Sequence, residues 1–341
     1  MKMYRKSKNI LVTGGTGYIG SHVAVELINK KYNPIIIDNL SKSDKSCLKQ
    51  IKRITGIEPI FYEGDVRDDQ VLKNIFKSYN IDCVIHFAGL KSISESYKNP
   101  NEYYDNNVNG SKNLINISLS NNVKKFIFSS SATVYGNPIN LPIDEKHPLG
   151  PINEYGKNKL EVELFLKSIC KKNKKINVFV LRYFNPVGSH ESGLIGENFI
   201  DTPTNIMPLI CLVANKKISV VNVYGDEYAT PDGTGIRDYI HVNDLALGHI
   251  AALENKKKLP ENFNTINLGT GTGFSVLELI KKFEEVNNVK VNYKISDKRK
   301  GDAAAVFADV RYSKEILNWS AKKSLADMVR DSWSWELNRH E

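Results

Sequence analysis

Apolar residues along this chain fall into two kinds of run that take turns. The first kind is short and continuous: Ile10-Leu11-Val12 within 9–13, then 34–37, 58–63, 82–87, 124–128, and a sixth run closing just before Phe184. Between these runs, apolar positions recur at helical spacing, as in Val23, Leu27 and Ile28 of 21–30 and again in 69–78, 103–120 and 160–169. Strands with no polar face, each followed by an amphipathic helix, predict an α/β protein whose parallel sheet is covered on both sides. The expected fold is therefore a doubly wound, Rossmann-type sheet over residues 1–184, followed by a smaller C-terminal domain over 185–341. That second domain has helical patterns at 274–286, 313–317 and 324–337, while 238–250 and 264–270 are expected to return to the first, so the two interleave. There is no internal repeat, and no segment approaches the eighteen apolar residues of a membrane span. Met1 to Asn9 is basic, but the apolar run behind it is too short for a signal peptide.

Charge and cysteine content narrow the classes. The formal charge is +9 in 341 residues, yet the lysines are dispersed, and the densest run, 171–175, sits where a helix should end. No zinc-finger, RNP or basic-zipper pattern accompanies them, so no nucleic-acid partner is expected. The field suits a phosphorylated metabolite instead. Cys47, Cys83, Cys170 and Cys211 are far apart with no CxxC or Cys/His pairing, which points away from disulfides and metal and toward a reducing cytoplasm.

The candidate chemistry sits at strand ends. Gly14-Gly15-Thr16-Gly17-Tyr18-Ile19-Gly20 joins the first strand to the first helix. In that context Gly14 permits the turn, Gly17 admits a pyrophosphate, and Gly20 allows helix and strand to pack closely. Asp38, with Asn39 behind it, closes the second strand roughly twenty residues on, where a carboxylate accepts ribose hydroxyls and repels a 2′-phosphate. Asp65-Val66 and Ala88-Gly89-Leu90-Lys91 follow the third and fourth strands, and Asn106, Asn107 and Asn109 lie near the start of the 103–120 helix. Ser129-Ser130-Ser131-Ala132-Thr133 ends the fifth strand. Tyr155 and Lys159 lie four apart at the head of the next helix, on one face. A cation beside a phenol lowers its pKa toward a working range. A phenol, an amine and a serine beside a nucleotide loop are the parts needed for hydride transfer from an alcohol.

These stretches resemble the extended short-chain dehydrogenase/reductases, and among them most closely the UDP-glucose 4-epimerase family, over nearly the whole chain. The resemblance is carried by VTGGTGYIGSH (12–22), FAGLK (87–91), YGKNK (155–159), RYFNPVG (182–188) and DGTGIRDYIHV (232–242). It implies reversible inversion at C4 of a UDP-hexose through a transient 4-keto sugar on tightly held NAD. Tyr155, helped by Lys159 and Ser131, would take the 4-hydroxyl proton. It further implies NAD contacts at Gly14, Gly17, Tyr18, Ile19, Gly20, Asp38, Asn39, Asp65, Val66, Phe87, Ala88, Gly89, Lys91, Asn106, Ser129, Tyr155, Lys159 and Phe184. Substrate contacts are implied at Lys91, Ser131, Thr133, Tyr155, Asn185, Asn205, Ile206, Val223, Tyr224, Arg237, Arg299, Asp302 and Val306. A homodimer through the 103–120 and 154–169 helices belongs to the same expectation. Two positions depart from the family pattern. Lys42 stands where relatives often carry an Asn near the ribose, and Val306 stands where relatives restricted to unmodified hexoses can have a bulky Tyr and those that accept N-acetylhexosamines a smaller residue, so it leaves room for an acetamido group. The alternatives are a 4,6-dehydratase or decarboxylase, which need an acidic residue where Ala132 and Thr133 stand, and a non-catalytic NAD sensor, which has no need of the serine, tyrosine and lysine together.

Overall fold

A computed structural model describes residues 8–200, 203–257, 259–299 and 301–339. Met1–Ser7, on which most of the signal-peptide reading rests, lie outside them. Seven strands form one parallel sheet: β1 (Asn9–Thr13), β2 (Asn33–Asp38), β3 (Ile60–Glu63), β4 (Ile81–His86), β5 (Lys125–Ser131), β6 (Asn177–Tyr183) and β7 (Phe263–Leu268). Their order across the sheet is β7-β6-β5-β4-β1-β2-β3, so the order of strand addition reverses between the parallel neighbours β1 and β4, where a crevice opens at the carboxyl ends. Registers such as Thr13 opposite both Ile37 and His86 bring β1, β2 and β4 to that edge together.

Successive strand residues feed opposite cores. Ile10 and Val12 pack with Val23 and Leu27 of the helix Tyr18–Asn29 and with Leu245 and Ile250 of the helix Val242–Glu254. Leu11 joins Leu72 and Ile75 of the helix Asp69–Ser78, and Val162 and Leu166 of the helix Glu154–Lys172, on the other face. This explains why the strands read as unbroken apolar runs. The smaller lobe is built from short pairings, including Asn185–Val187 with Tyr239–His241, and Ile236–Arg237 between Phe274–Ser275 and Ala305–Val306. Met207, Ile210, Leu279, Phe283 and Met328 fill its core.

The elements that differ from the sequence reading include the helices Ile93–Lys98 and Ile206–Ala214, which it lacks, and three more in the first domain. The first helix starts at Tyr18 rather than Ser21, because the glycine turn is tight enough for Tyr18, Ile19 and Gly20 to belong to the helix. The helix Ser46–Thr55, absent from that reading, is lysine-rich with only Ile51 fully buried, so its apolar signal is thin. The 103–120 helix is split by a π-turn at Asp105–Asn109 between Pro100–Tyr104 and Gly110–Ser120. At that turn the Ser111 hydroxyl donates to the Asn107 carbonyl, and the Asn107 side chain is aimed at the loop after β4.

Candidate active site

A cleft of about 520 Å³ lies along the carboxyl ends of β1, β2, β4, β5 and β6 and is closed on the far side by the smaller lobe. Its floor begins at Gly14, where φ is +68° and a Cβ would stand 2.7 Å from the Ala88 backbone nitrogen. Gly20 is as constrained, because a Cβ there would lie 2.3 Å from the Gly14 carbonyl. Only glycine lets strand, turn and helix close this tightly. The helix Tyr18–Asn29 then aims its first N–H groups at the cleft, which suits a pyrophosphate. Asp38 is fixed by the Thr16 N–H at 3.2 Å, the Leu40 N–H at 2.9 Å and the Ser43 hydroxyl at 3.1 Å. Asn39 donates to Asp65 at 2.8 Å. Burial works to raise the Asp65 carboxyl, but hydrogen bonds from Arg67 and Asn39 outweigh it and bring it to about 2. Val66, Phe87, Ala88, Gly89 and Asn106 line the same wall. Its donors, its ribose-side carboxylate and its glycine cradle fit a dinucleotide. Lys42 lies on this wall with its ammonium 3.6 Å from Glu95.

The loop after β4 is held from beneath. The Ala88 N–H donates to Thr13 Oγ1 at 3.2 Å, and that hydroxyl meets His86 Nδ1 at 2.7 Å. His86 Nε2 meets the Ser111 hydroxyl at 2.8 Å, and Asn107 bonds both the N–H and the carbonyl of Leu90 at 2.7 and 2.9 Å. Burial lowers His86 to about 3, so it works as a neutral spacer. Asn107, near the start of the 103–120 pattern, is thus an anchor for this loop rather than a solvated position.

Ser131, Thr133, Tyr155 and Lys159 all face the cleft. Asn153 caps the helix Glu154–Lys172 by accepting the Gly156 N–H at 2.8 Å, so Tyr155 lies in the first turn and Lys159 one turn below. Lys159 Nζ donates to the Ser129 carbonyl at 2.8 Å and sits 5.7 Å from the Tyr155 ring centre. Ser129 thus stands behind the wall rather than on it. Thr133 donates to Ser131 Oγ from both its N–H and its hydroxyl, at 3.2 and 3.0 Å. The expected depression of the Tyr155 pKa is not a property of the chain alone. Burial raises it well above the ordinary value, Tyr183 adds to this, and the Ser131 hydrogen bond opposes both. Lys159 is itself lowered to about 8 by burial, with Glu163 acting the other way. The protein by itself keeps Tyr155 a neutral phenol, and a cation brought into the cleft is what favours the phenolate.

The opposite wall carries Phe184, Asn185, Asn205, Arg237, Asp302 and Val306. Arg237 is braced by the Ile236 and Ala303 carbonyls, each at 2.9 Å, with Asp302 at 3.9 Å. Ile206, Val223, Tyr224 and Arg299 are not on the wall. Val223 is core, and the Arg299 guanidinium stacks on the Tyr224 ring at 3.8 Å. Glu197, which the sequence reading did not single out, bridges the walls by accepting from Lys91 at 2.7 Å and Asn205 at 2.9 Å. The end of β5 offers no carboxylate. Among the described residues no group of His, Cys, Asp and Glu is arranged to hold a metal ion, and no helix is long and apolar enough to cross a membrane.

Comparison with known proteins places this geometry. Residues 10–269 match the model of the NAD dependent epimerase/dehydratase family. The chain is 47% identical to the UDP-glucose 4-epimerase of Dictyostelium discoideum, over 96% of this chain and 95% of that one. It is 46% identical to a UDP-glucose 4-epimerase from Bifidobacterium longum solved with NAD+ and UDP, with a TM-score of 0.94 and coverage of 98% and 99%. The Stenotrophomonas maltophila enzyme, solved with NAD and formylated UDP-arabinopyranose, gives 44% identity and the same TM-score of 0.94, with 98% and 99% covered.

Proposed function

The chain belongs to the NAD dependent epimerase/dehydratase family, and we propose that it inverts C4 of UDP-glucose and UDP-galactose using NAD. The observation that carries this reading is the convergence of Ser131, Tyr155 and Lys159 on a cleft whose other end is a glycine cradle. NAD, when bound, supplies the hydride acceptor and donor and a positively charged ring. The residues do the rest. Tyr155 takes the proton of the sugar hydroxyl and later returns it, Ser131 hydrogen-bonds that phenol, and the Lys159 ammonium adds to the positive charge that the bound cofactor brings beside it. Asn185, Asn205 and Arg237 hold the nucleotide, with Arg237 offering a guanidinium to the diphosphate. Arg299, stacked on Tyr224 and off the wall, is the second basic group that this reading assigns to the diphosphate. Dehydration and decarboxylation lack their acidic residue at Ala132 and Thr133.

The half-buried Val306 on the cleft wall supports turnover of the N-acetylhexosamine forms as well. Exposed Tyr104 and Leu164, on the two helices expected to pair, support a homodimer, and four free thiols support a cytoplasmic setting. Residues 1–184 with 238–250 and 264–270 as the NAD-binding domain, and the remainder as the UDP-sugar domain, is the division this reading uses. The test is a coupled assay of UDP-galactose and UDP-N-acetylgalactosamine, run on purified protein without added NAD. Turnover of the first establishes the epimerase, and turnover of the second the wider specificity. Absence of the first overturns the proposal.

A further inference from the structure

Along the side that carries Tyr155 and Lys159, the same helix places a third group at the same spacing. Glu163 follows Lys159 by one turn, and its side chain is 3% exposed. It accepts from Arg182 twice, at 3.0 Å from Nε and 2.5 Å from Nη2, and from the Ser130 hydroxyl at 2.5 Å. Arg182 lies inside the apolar strand β6, and its remaining Nη1 donates to the Tyr135 hydroxyl at 3.1 Å. Tyr135 in turn donates to Asn267 Oδ1 of β7 at 2.6 Å. The network ties the helix to β5, β6, β7 and the turn after β5, and neither Glu163, Arg182 nor Ser130 lines the cleft. A buried ion pair is an inefficient way to stabilise a core, since apolar residues of similar volume often do as well or better. Its position is therefore informative. Ser130 stands between the residue whose carbonyl takes the Lys159 ammonium and Ser131.

We propose that Glu163 is a positioning residue for the Tyr155–Lys159 pair. Gripped by Arg182 and Ser130, it presses the helix onto β5 so that Lys159 meets the Ser129 carbonyl, and it keeps a fixed negative charge behind the ammonium. The groups around Lys159 leave that task to Glu163. They are the Tyr155 phenol on its own helix, the Phe128 ring and Ser129 carbonyl on β5, the neutral His86 of β4, and Gly89 in the loop after β4. None of these carries a negative charge. Burial lowers Lys159, and Glu163 is the group acting against that shift.

The functional half of this inference rests on the epimerase reading; the electrostatic half does not, and the test separates them. Lysine ε-carbon NMR of the full chain, with Lys159→Arg to assign the signal, reads the Lys159 pKa directly. Glu163→Gln should lower it by about one unit, and Ser130→Ala, which keeps the charge, should move it less. The alkaline limb of kcat should shift acidic by a like amount, with KM for UDP-galactose changed less than about twofold. Should Glu163→Gln fail to fold because Arg182 is left unpaired, Glu163→Asp keeps the ion pair, draws the carboxylate back by one methylene and should lower the Lys159 pKa in the same direction by a smaller amount; no shift in that variant decides against the proposal. A Lys159 pKa and alkaline limb that stay in place while kcat falls uniformly would overturn the proposal. A wild-type protein without epimerase activity, but with the NMR shift present, would overturn only the functional reading.

Discussion

Replacing Gly14 with alanine probes the junction on which the cleft is built. Two costs combine. At φ +68° a residue with a Cβ takes the left-handed conformation at about 1–2 kcal/mol. The new methyl would also stand 2.7 Å from the Ala88 nitrogen, and 2.9 Å from both the Ala88 Cα and the Phe87 carbonyl carbon. Those atoms are backbone, and they cannot step aside cheaply because Phe87 and Ala88 both donate to Thr13, at 3.0 and 3.2 Å. Overpacking of this kind adds about 1–3 kcal/mol, so the sum is about 2–5 kcal/mol, and β1 and β4 must part where the dinucleotide wall begins. Gly56→Ala is the matched control, because φ is +74° there but nothing lies within 4 Å of the added carbon; it should cost only the conformational part, about 1–2 kcal/mol. Urea unfolding midpoints and the NAD carried through gel filtration measure both effects. Gly14→Ala should be the less stable variant and lose cofactor, whereas Gly56→Ala should keep it. Equal stability losses, with NAD retained by both, would refute the reasoning.

Acid should weaken the fold before any carboxylate titrates in the ordinary range. His22 and His86 are lowered to about 3 and His249 to about 4, all chiefly by burial, so each contributes stability above its unfolded value near 6.5 that is lost as pH falls toward those figures. Glu145, raised by burial to about 7, works in the opposite sense, since its contribution grows as pH drops from about 7 to its unfolded value. His190 is lowered by burial as well, and Glu26 and Asp238 are raised by it, but the large histidine shifts outweigh the carboxyls, so stability should fall by about 1–3 kcal/mol between pH 6.5 and 5; an unchanged urea midpoint at pH 5 would contradict this. Val306→Tyr should fill the sugar end of the cleft, removing turnover of UDP-N-acetylgalactosamine while leaving that of UDP-galactose within about threefold. Parallel loss of both would show that Val306 does not set the choice.

The sheet was legible because both of its faces are buried, so Ile10-Leu11-Val12 and the runs like it carry a signal that no turn chemistry interrupts. Gly14, Gly20 and Asp38 were legible because their spacing from strand ends is set by backbone geometry. The helix Ser46–Thr55 was not, since its narrow apolar stripe, Leu48, Ile51 and Ile54, is set among polar and basic residues and only Ile51 is fully buried. The site's supporting residues were hidden for another reason: Glu197, Asn107 and Glu163 act through partners far off in sequence, on a different wall, loop or strand. One signal did exist. Arg182 interrupts an otherwise apolar strand, and a buried guanidinium requires a carboxylate, for which Glu163, one helical turn beyond Lys159, was the natural candidate. The acidity of Tyr155 was misjudged because spacing alone shows the lysine but not the burial, and burial is the larger influence.

The central claim is that Tyr155 moves the proton of a nucleotide-bound sugar hydroxyl, and the most direct measurement is the reduced-nicotinamide absorbance of the NAD-loaded protein after UDP-galactose is added, compared between wild type and Tyr155→Phe. The account predicts a detectable reduced fraction and C4 inversion in the wild type. Tyr155→Phe should keep its NAD yet lose both signals by at least about a hundredfold, as expected on removal of a positioned general base. Unaltered reduction and inversion in Tyr155→Phe would contradict it.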